Sequence, residues 1–331
     1  MKKVRVAIAG ASGYAGAELV RLAALHPHFD LHAVTSEKSA GAAVGTVFPS
    51  LAGLVSLSFQ ALSPEALAEQ ADAVFLALPH TKSLEPVSAC IKTGKLVVDL
   101  SADYRLTDPA VYEQWYKTPH TYPGLLKDAV YGLPELHRAA IAKAKLVASP
   151  GCYPTAAILQ LAPLFAQGLV QPHTVVIDAK SGISGAGRSP ALPYHFPEAH
   201  ESIEPYKLGG HRHIPEIEQE LGRLLQRTSQ PSGKTATEPI VTFTPHLVPM
   251  NRGILSTAYC KLKSPMSLPD LRAMYRDFYK GERFVRFQEE TIPNPRYIKG
   301  SNYCDIGIYL DSRSGSVITV AALDNLVKGA A

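Results

Sequence analysis

A doubly wound parallel α/β domain followed by a strand-rich α+β domain is the architecture this sequence predicts. Three observations carry it. Within the first 150 residues, short β-branched and alanine-rich runs alternate with helical periods at the spacing of strand–helix–strand units. The first run stops at a glycine cluster, Gly10-Ala-Ser-Gly13-Tyr-Ala-Gly16, the kind of turn that feeds a strand into a helix. Beyond that point strands outnumber helices. The length of 331 residues favours two domains and is ample for a buried core.

Taken in order, residues 4–9 form the first strand and 15–25 a helix closed by His26 and Pro27. Residues 31–34 read as the second strand, with a polar turn over 35–39. Ser63 followed by Pro64 and Glu65 is a helix start, serine as cap and proline in the first turn. A buried strand at 73–78, a helix at 84–93 and buried strands at 96–99 and 145–148 complete the first half. The last of these runs into Ser149-Pro-Gly-Cys152-Tyr-Pro154, where the boundary between domains falls. The second half offers strands at 174–179, 240–244, 253–262, 284–288, 305–310 and 316–322, and helices at 155–165, 216–227 and 269–279. That predicts a largely antiparallel or mixed sheet. Residues 229–239, polar and without periodicity, read as a surface loop.

Composition narrows the function. Hydrophobic residues make up 46% of the chain and charged residues 19%, a globular balance. The net charge of +4 is spread out, with no Lys/Arg run, which argues against nucleic acid or a membrane surface as partner and leaves room for a positive cleft. The start, MKKVRVAIAG, enters a strand at once without an apolar leader, and the most apolar windows are too short to cross a bilayer. Cys90, Cys152, Cys260 and Cys304 lie far apart with no CxxC spacing, so neither a zinc ribbon nor a disulfide framework is expected, and a reducing cytoplasm is.

Four features carry chemistry. Gly10, Gly13 and Gly16, with Ser12 and Tyr14 between them, sit where backbone must approach a pyrophosphate lying on a helix N-terminus. The acidic residue expected to hold an NAD ribose is missing after the second strand; Thr35, Ser36 and Lys38 suit a 2′-phosphate, so NADP is expected, against the opposing charge of Glu37. Cys152 lies in a strand–turn–helix elbow among Pro150, Gly151 and Pro154, where a helix N-terminus can stabilise its thiolate. The other three cysteines lie in apolar periodic segments and read as core. Gly210-His211-Arg212-His213 supplies imidazoles two apart, which in an extended segment face one side and could serve a thiolate as acid and base. A metal site using His195, Glu198, His200 and Glu201 lacks any tight ligand spacing, so no metal is expected. Arg105, after a sheet strand, and Arg188, closing an open glycine loop, match phosphate and carboxylate. Together these describe a thiolate attacking an acyl phosphate, followed by hydride reduction of the thioester.

The motifs GASGYAGAELVRL, TSEKSAG, LALPH, DLSADYRL, YGLPEL, SPGCYPTA, KSGISGAGR, GGHRHIPEIEQ, GSNYCDIG and DNLVKGAA span nearly the whole chain. In combination the sequence resembles the N-acetyl-gamma-glutamyl-phosphate reductases of arginine biosynthesis, within the aspartate-semialdehyde dehydrogenase superfamily. The resemblance implies a Rossmann-type NADP domain over 1–150, rejoined by the segment 318–331, and a catalytic and dimerisation domain over 151–317. It implies Cys152 as nucleophile, the histidines His211 and His213 as the acid–base group, Arg105 as phosphate ligand, and Ser181, Gly182, Arg188 and Tyr206 as further substrate contacts. Asn325 is implied at the nicotinamide, and a homo-oligomer, dimer or tetramer, is expected. Members of that family continue past KGAA with a helix, whereas this sequence ends at Ala331, and Ile214 stands where threonine is usual. Rival readings are the lysine-pathway aminoadipyl-phosphate reductase, which tends to follow its cysteine with Asn-Ala rather than Tyr153-Pro154-Thr155; a cysteine hydrolase, which needs no glycine fingerprint; and an NADP-sensing regulator, which needs no Cys152.

Overall fold

A computed structural model describes residues 2–227 and 238–331; most of the loop expected at 229–239 lies outside the described residues. The chain divides into two compact units, Met1–Gly151 with Ala330–Ala331, and Cys152–Gly329.

In the first unit, six strands form one parallel sheet: β1 (Val4–Ala9), β2 (Phe29–Val34), β3 (Ala73–Leu76), β4 (Leu96–Asp99), β5 (Ala129–Tyr131) and β6 (Leu146–Ala148). Their order is β2-β1-β3-β4-β6-β5, so the order reverses between β1 and β3. Alternation along β1 explains the two faces. Val6 and Ile8 pack with Leu19, Val20 and Ala23 of helix α1 (Tyr14–Leu25), while Ala7 and Ala9 face the opposite core. After the one-turn helix α2 (Val44–Val47), helices α3 (Pro64–Glu69) and α4 (Leu84–Lys92) supply that second core through Leu67, Leu84 and Val87. Ser63 caps α3, its hydroxyl accepting the Ala66 N–H at 3.2 Å. Two further helices, α5 (Pro109–Tyr116), capped by Asp108, and α6 (Pro134–Ile141), complete the unit.

The second unit opens with α7 (Cys152–Ala166), almost entirely buried. It then runs through β7 (Val175–Gly182), the one-turn helix α8 (Phe196–Ala199), the two-residue strand β8 (Glu204–Pro205), helix α9 (Ile214–Gln226), β9 (Val241–Val248), β10 (Ile254–Lys261), helix α10 (Leu268–Phe278), β11 (Val285–Phe287), β12 (Cys304–Asp311) and β13 (Ser316–Leu323). The seven described strands make a mixed sheet of order β11-β12-β13-β10-β7-β9-β8. The expected fold class, a parallel-sheet domain plus a mixed-sheet α+β domain, is borne out.

The segment 318–331 does not return to the first unit as expected. Residues 316–323 are paired along their full length with β10 on one side and β12 on the other, and this double ladder holds them in the second sheet. Only Ala330 and Ala331 belong to the first unit, where Ser149 Oγ donates to the Ala330 carbonyl.

Helix α7 contains Pro163, which has no N–H to give the carbonyl of Leu159 one turn back. A tyrosine repairs the defect, and a second binds the next carbonyl along. The Tyr279 hydroxyl donates to the Leu159 carbonyl, and the Tyr275 hydroxyl to that of Gln160 at 2.6 Å. Both are buried, Tyr275 completely. Replacing Tyr279 with Phe leaves a buried carbonyl unpaired, so urea unfolding should show a loss of about 1–3 kcal/mol. An unchanged stability would mean that the break at Pro163 is tolerated without its cap.

Candidate active site

The first unit builds a dinucleotide cradle at the carboxyl ends of β1 and β2. Gly10 has φ +73°, and a Cβ there would lie 2.4 Å from the Ala77 carbonyl oxygen; a Cβ on Gly16 would lie 2.4 Å from the Gly10 carbonyl oxygen. Glycine is required at both for the turn to close on its neighbours. Gly13 is the N-cap of α1, which has no side-chain cap and no acidic residue in its first turn. Such a helix end offers N–H groups to an anion, and the half-exposed Tyr14 begins it. Ser12 Oγ and Ser36 Oγ are 2.7 Å apart, and Ser36 Oγ accepts the Ser39 N–H at 3.2 Å, so the end of β2 is tied to the glycine turn. Lys38 and Glu37 on that turn are exposed. These residues fit a dinucleotide whose ribose carries a further phosphate.

Arg105, expected to hold phosphate, is only 5% exposed. Its Nε donates to the Ser149 carbonyl at 2.7 Å and its Nη2 to the Leu100 carbonyl at 2.8 Å. The guanidinium thus braces the peptide that leads out of β6. On the same edge, burial pushes the Asp99 carboxyl up to about 6, against the hydroxyl of Ser101 donating to it at 2.6 Å.

In the second unit Cys152 is the first residue of α7, three residues earlier than the predicted helix start, so the thiol sits on the first turn. A Cβ on Gly329 would lie 2.9 Å from the Cys152 Cβ, so the turn at Gly329 lies directly against Cys152. Its neighbour in sequence, Tyr153, belongs to an aromatic group. Tyr153 packs edge-on to His211, His213 and Phe243, with ring centroids at 5.8, 5.9 and 5.4 Å. The Tyr206 hydroxyl donates to that of Tyr153 at 3.2 Å, and Tyr153 donates to the His246 carbonyl. Burial, reinforced by Tyr206 and by charge on Cys152, keeps the Tyr153 phenol protonated far above its ordinary range.

His211 and His213 do meet, with ring centroids 4.7 Å apart. They converge through a turn rather than by strand alternation: Ile214 N–H closes onto the His211 carbonyl at 3.0 Å, and His213 is the N-cap of α9. The His213 N–H donates to His211 Nδ1 at 3.2 Å, which fixes the proton of neutral His211 on Nε2. Burial, with Lys207 and Arg212 adding, lowers the His211 pKa to about 3. Between pH 6.5 and 3 the unfolded chain binds a proton at this position that the native chain does not. His211 therefore contributes stability that is fully present above pH 6.5 and is lost towards pH 3. A His211→Asn variant should show a shallower acid limb in urea unfolding than the parent; parallel curves would remove His211 from that role.

The remaining expected residues are spread around this unit. Ser181 is buried and its hydroxyl donates to the Gly182 carbonyl; a Cβ on Gly182 would lie 2.7 Å from the Asn251 carbonyl oxygen. Arg188 is exposed. Asn325 is 2% exposed, its Oδ1 accepting the Gly253 N–H at 2.7 Å and its Nδ2 donating to Ser184 Oγ at 3.0 Å. In the structure it braces the glycine loop of its own unit. Cys90, Cys260 and Cys304 are buried, and burial pushes the first two thiols up to about 11 and about 12. Among the described residues no group of three or more His, Cys, Asp or Glu is arranged to hold a metal, and no helix is long and apolar enough to cross a membrane. Tyr153, Phe243 and Gly329 were not singled out from sequence; Tyr153 lies in the cysteine motif and Gly329 in the terminal motif, whereas Phe243 lies in an ordinary strand run with no signal of a site.

Comparison with known proteins bears on the family and the fold. Residues 5–144 match the family described as semialdehyde dehydrogenase, NAD binding domain, and residues 152–325 the family described as semialdehyde dehydrogenase, dimerisation domain. The N-acetyl-gamma-glutamyl-phosphate reductase of Geotalea daltonii is 52% identical over 329 residues, covering 99% of this chain and 92% of the relative. That of Syntrophobacter fumaroxidans is 51% identical with the same coverage. Among solved structures, aspartate semialdehyde dehydrogenase II of Vibrio cholerae superposes with a TM-score of 0.71 at 16% identity, over 100% of this chain and 95% of that one. The Candida albicans aspartate semialdehyde dehydrogenase with NADP superposes with a TM-score of 0.70 at 17% identity, over 99% and 95%. A shared fold at such low identity and a threefold greater identity to the reductases lead to one assignment: the chain belongs to the N-acetyl-gamma-glutamyl-phosphate reductase family of the semialdehyde dehydrogenase fold.

Proposed function

We propose that the chain reduces N-acetyl-L-glutamyl 5-phosphate to N-acetyl-L-glutamate 5-semialdehyde and phosphate with NADPH, as a step of arginine biosynthesis, through a thioester on Cys152. The observation that carries this reading is the location of Cys152 on the first turn of α7, next in sequence to the Tyr153 ring that packs against His211 and His213, in a chain about half identical to reductases of that name.

His213 takes the proton from Sγ, and the thiolate adds to the acyl carbon. The carbon–oxygen bond to phosphate breaks, and phosphate leaves with a proton that His213 replaces from solvent. Bound NADPH supplies a hydride to the acyl carbon of the thioester. The His213 imidazolium stabilises the oxygen of the tetrahedral thiohemiacetal, which collapses to aldehyde as the C–S electrons return to sulfur. His211, neutral with its proton on Nε2, serves as a hydrogen-bond donor that holds substrate oxygen. Arg105, Arg188, Ser181, Gly182 and Tyr206 take the substrate's anionic and carbonyl groups. Gly10, Ser12, Gly13, Tyr14 and Gly16 take the pyrophosphate, Ser36 and Lys38 the 2′-phosphate, and Asn325 supports the nicotinamide side. The working form is a homo-oligomer in a reducing cytoplasm, which keeps Cys152 as a thiol.

Stopped-flow mixing with the acyl phosphate and NADPH tests this directly. Phosphate release matched by NADPH oxidation is expected; phosphate release without it would make the chain a hydrolase. A charged contact partly screened by solvent should favour NADPH over NADH by about 1–3 kcal/mol, roughly 5- to 150-fold in kcat/KM. Lys38→Ala should remove part of that margin. Equal kcat/KM for the two cofactors in the parent chain would sink the 2′-phosphate assignment.

A further inference from the structure

The loops after β3 and β4 are joined by a buried carboxylate that the proposed chemistry does not use. Asp103 is fully buried. Its Oδ1 accepts the Thr81 N–H at 2.7 Å and the Tyr112 hydroxyl at 2.9 Å, and its Oδ2 accepts the Ser83 N–H at 2.9 Å. Its own N–H donates to Ser101 Oγ, and its carbonyl is bonded to His120 Nε2 at 2.7 Å. The Ala102 N–H beside it donates to His80 Nδ1 at 3.0 Å. Two loops distant in sequence are therefore stitched together at three points, the N–H groups of Thr81 and Ser83 on Asp103 and the N–H of Ala102 on His80.

What the stitch holds is informative. Thr81 has φ +68°, a left-handed conformation that a β-branched residue adopts only when its surroundings impose it. The loop it lies on begins at Ala77, whose carbonyl oxygen is the atom that excludes a side chain from Gly10. The other loop carries Arg105, two residues beyond Asp103, with its guanidinium on the carbonyls of Leu100 and Ser149. The sheet order reverses between β1 and β3, so the β3 loop lines the crevice at which open α/β sheets bind ligands.

We propose that Asp103 is the positioning residue of the cofactor-binding unit, fixing the strained Thr81 loop and the Arg105 loop in one arrangement so that cofactor wall and anion-binding arginine are set together. Asp103 does not itself reach a ligand. The inference rests on the proposed function in taking a nicotinamide dinucleotide as the ligand of the glycine turn and Arg105 as a ligand of the substrate's anionic group.

The test is fluorescence titration of the full chain with NADPH, alongside steady-state kinetics and thermal unfolding. Asp103→Asn keeps the shape but turns an acceptor into a donor facing an N–H or hydroxyl. It should raise the NADPH Kd about tenfold or more and raise the KM for acyl phosphate with it. Tyr112→Phe removes one of the three bonds to the carboxylate and should raise the Kd by a smaller factor at a similar Tm. Should Asp103→Asn fail to fold, Tyr112→Phe decides. A Kd unchanged in whichever variant folds, with only Tm lowered, would reduce Asp103 to a structural group and overturn the proposal. The functional reading fails separately, if the parent chain binds NADPH but leaves the acyl phosphate unreduced; the Kd comparison still judges Asp103.

Discussion

Cys152→Ser should bind NADPH with unchanged affinity and form no acyl-enzyme, with kcat lowered by about 10⁴–10⁶-fold, the scale seen when a covalent nucleophile is removed. The two halves of that result have separate physical sources. The proposed dinucleotide cradle, Gly10, Gly13, Gly16 and the Ser12–Ser36 contact, lies within the first unit, whereas Cys152 begins the second. The substitution is nearly isosteric, and Gly329, whose missing side chain leaves room at the Cys152 Cβ, tolerates the smaller oxygen. The chemistry differs greatly. A cysteine thiol, ordinarily near 8.5, can be drawn to thiolate by a helix N-terminus, while a serine hydroxyl stays protonated at any working pH. Mass spectrometry after quenching with acyl phosphate in the absence of NADPH should find the parent chain heavier by one acyl group on Cys152 and the variant unmodified. An acyl group on any other residue would move the nucleophile elsewhere.

Much of this site is legible in the sequence because short-range rules govern it. The strand over 4–9, the glycine turn and the helix that follows obey period, turn chemistry and capping at once, so each supports the others. Ser63 announces its helix in the same way. Cys152 stands out because proline and glycine flank it between an apolar strand and a helix. The parts that sequence does not disclose depend on long-range partners. Tyr279 reads as an ordinary helix-end aromatic until Pro163, more than a hundred residues away, leaves a carbonyl for it to cap. Asp103 reads as a turn residue until its loop meets Thr81 and Tyr112. The last strand misleads because apolar alternation over 316–323 identifies a strand without identifying its neighbours, and pairing with β10 and β12 keeps it in the second unit.

His213→Asn should lower kcat by roughly 10²–10⁴-fold, the usual cost of a lost general acid or base, whereas His211→Asn should act mainly on KM. Sequence leaves the two open, since either imidazole of Gly210-His211-Arg212-His213 could serve; Pro215, which restricts the backbone beside His213, and the flexible Gly209-Gly210 pair beside His211 favour His213. Geometry adds a stronger reason. His211 Nδ1 is occupied by the His213 N–H, and burial beside Lys207 and Arg212 holds its pKa near 3. An imidazole that cannot take up a proton at neutral pH cannot shuttle one, but its Nε2–H can still hold a substrate oxygen. His213 is half-buried at the N-cap of α9, with its ring against Tyr153, the residue next to the nucleophile. Proton transfer needs heavy atoms about 3 Å apart, and Asn at 213 keeps a polar side chain there without a titrating nitrogen. The parent chain should therefore show a limb in its kcat–pH profile that His213→Asn abolishes and His211→Asn preserves. The reverse pattern would exchange the two roles. A kcat unmoved by either substitution would assign the proton to water or to another side chain.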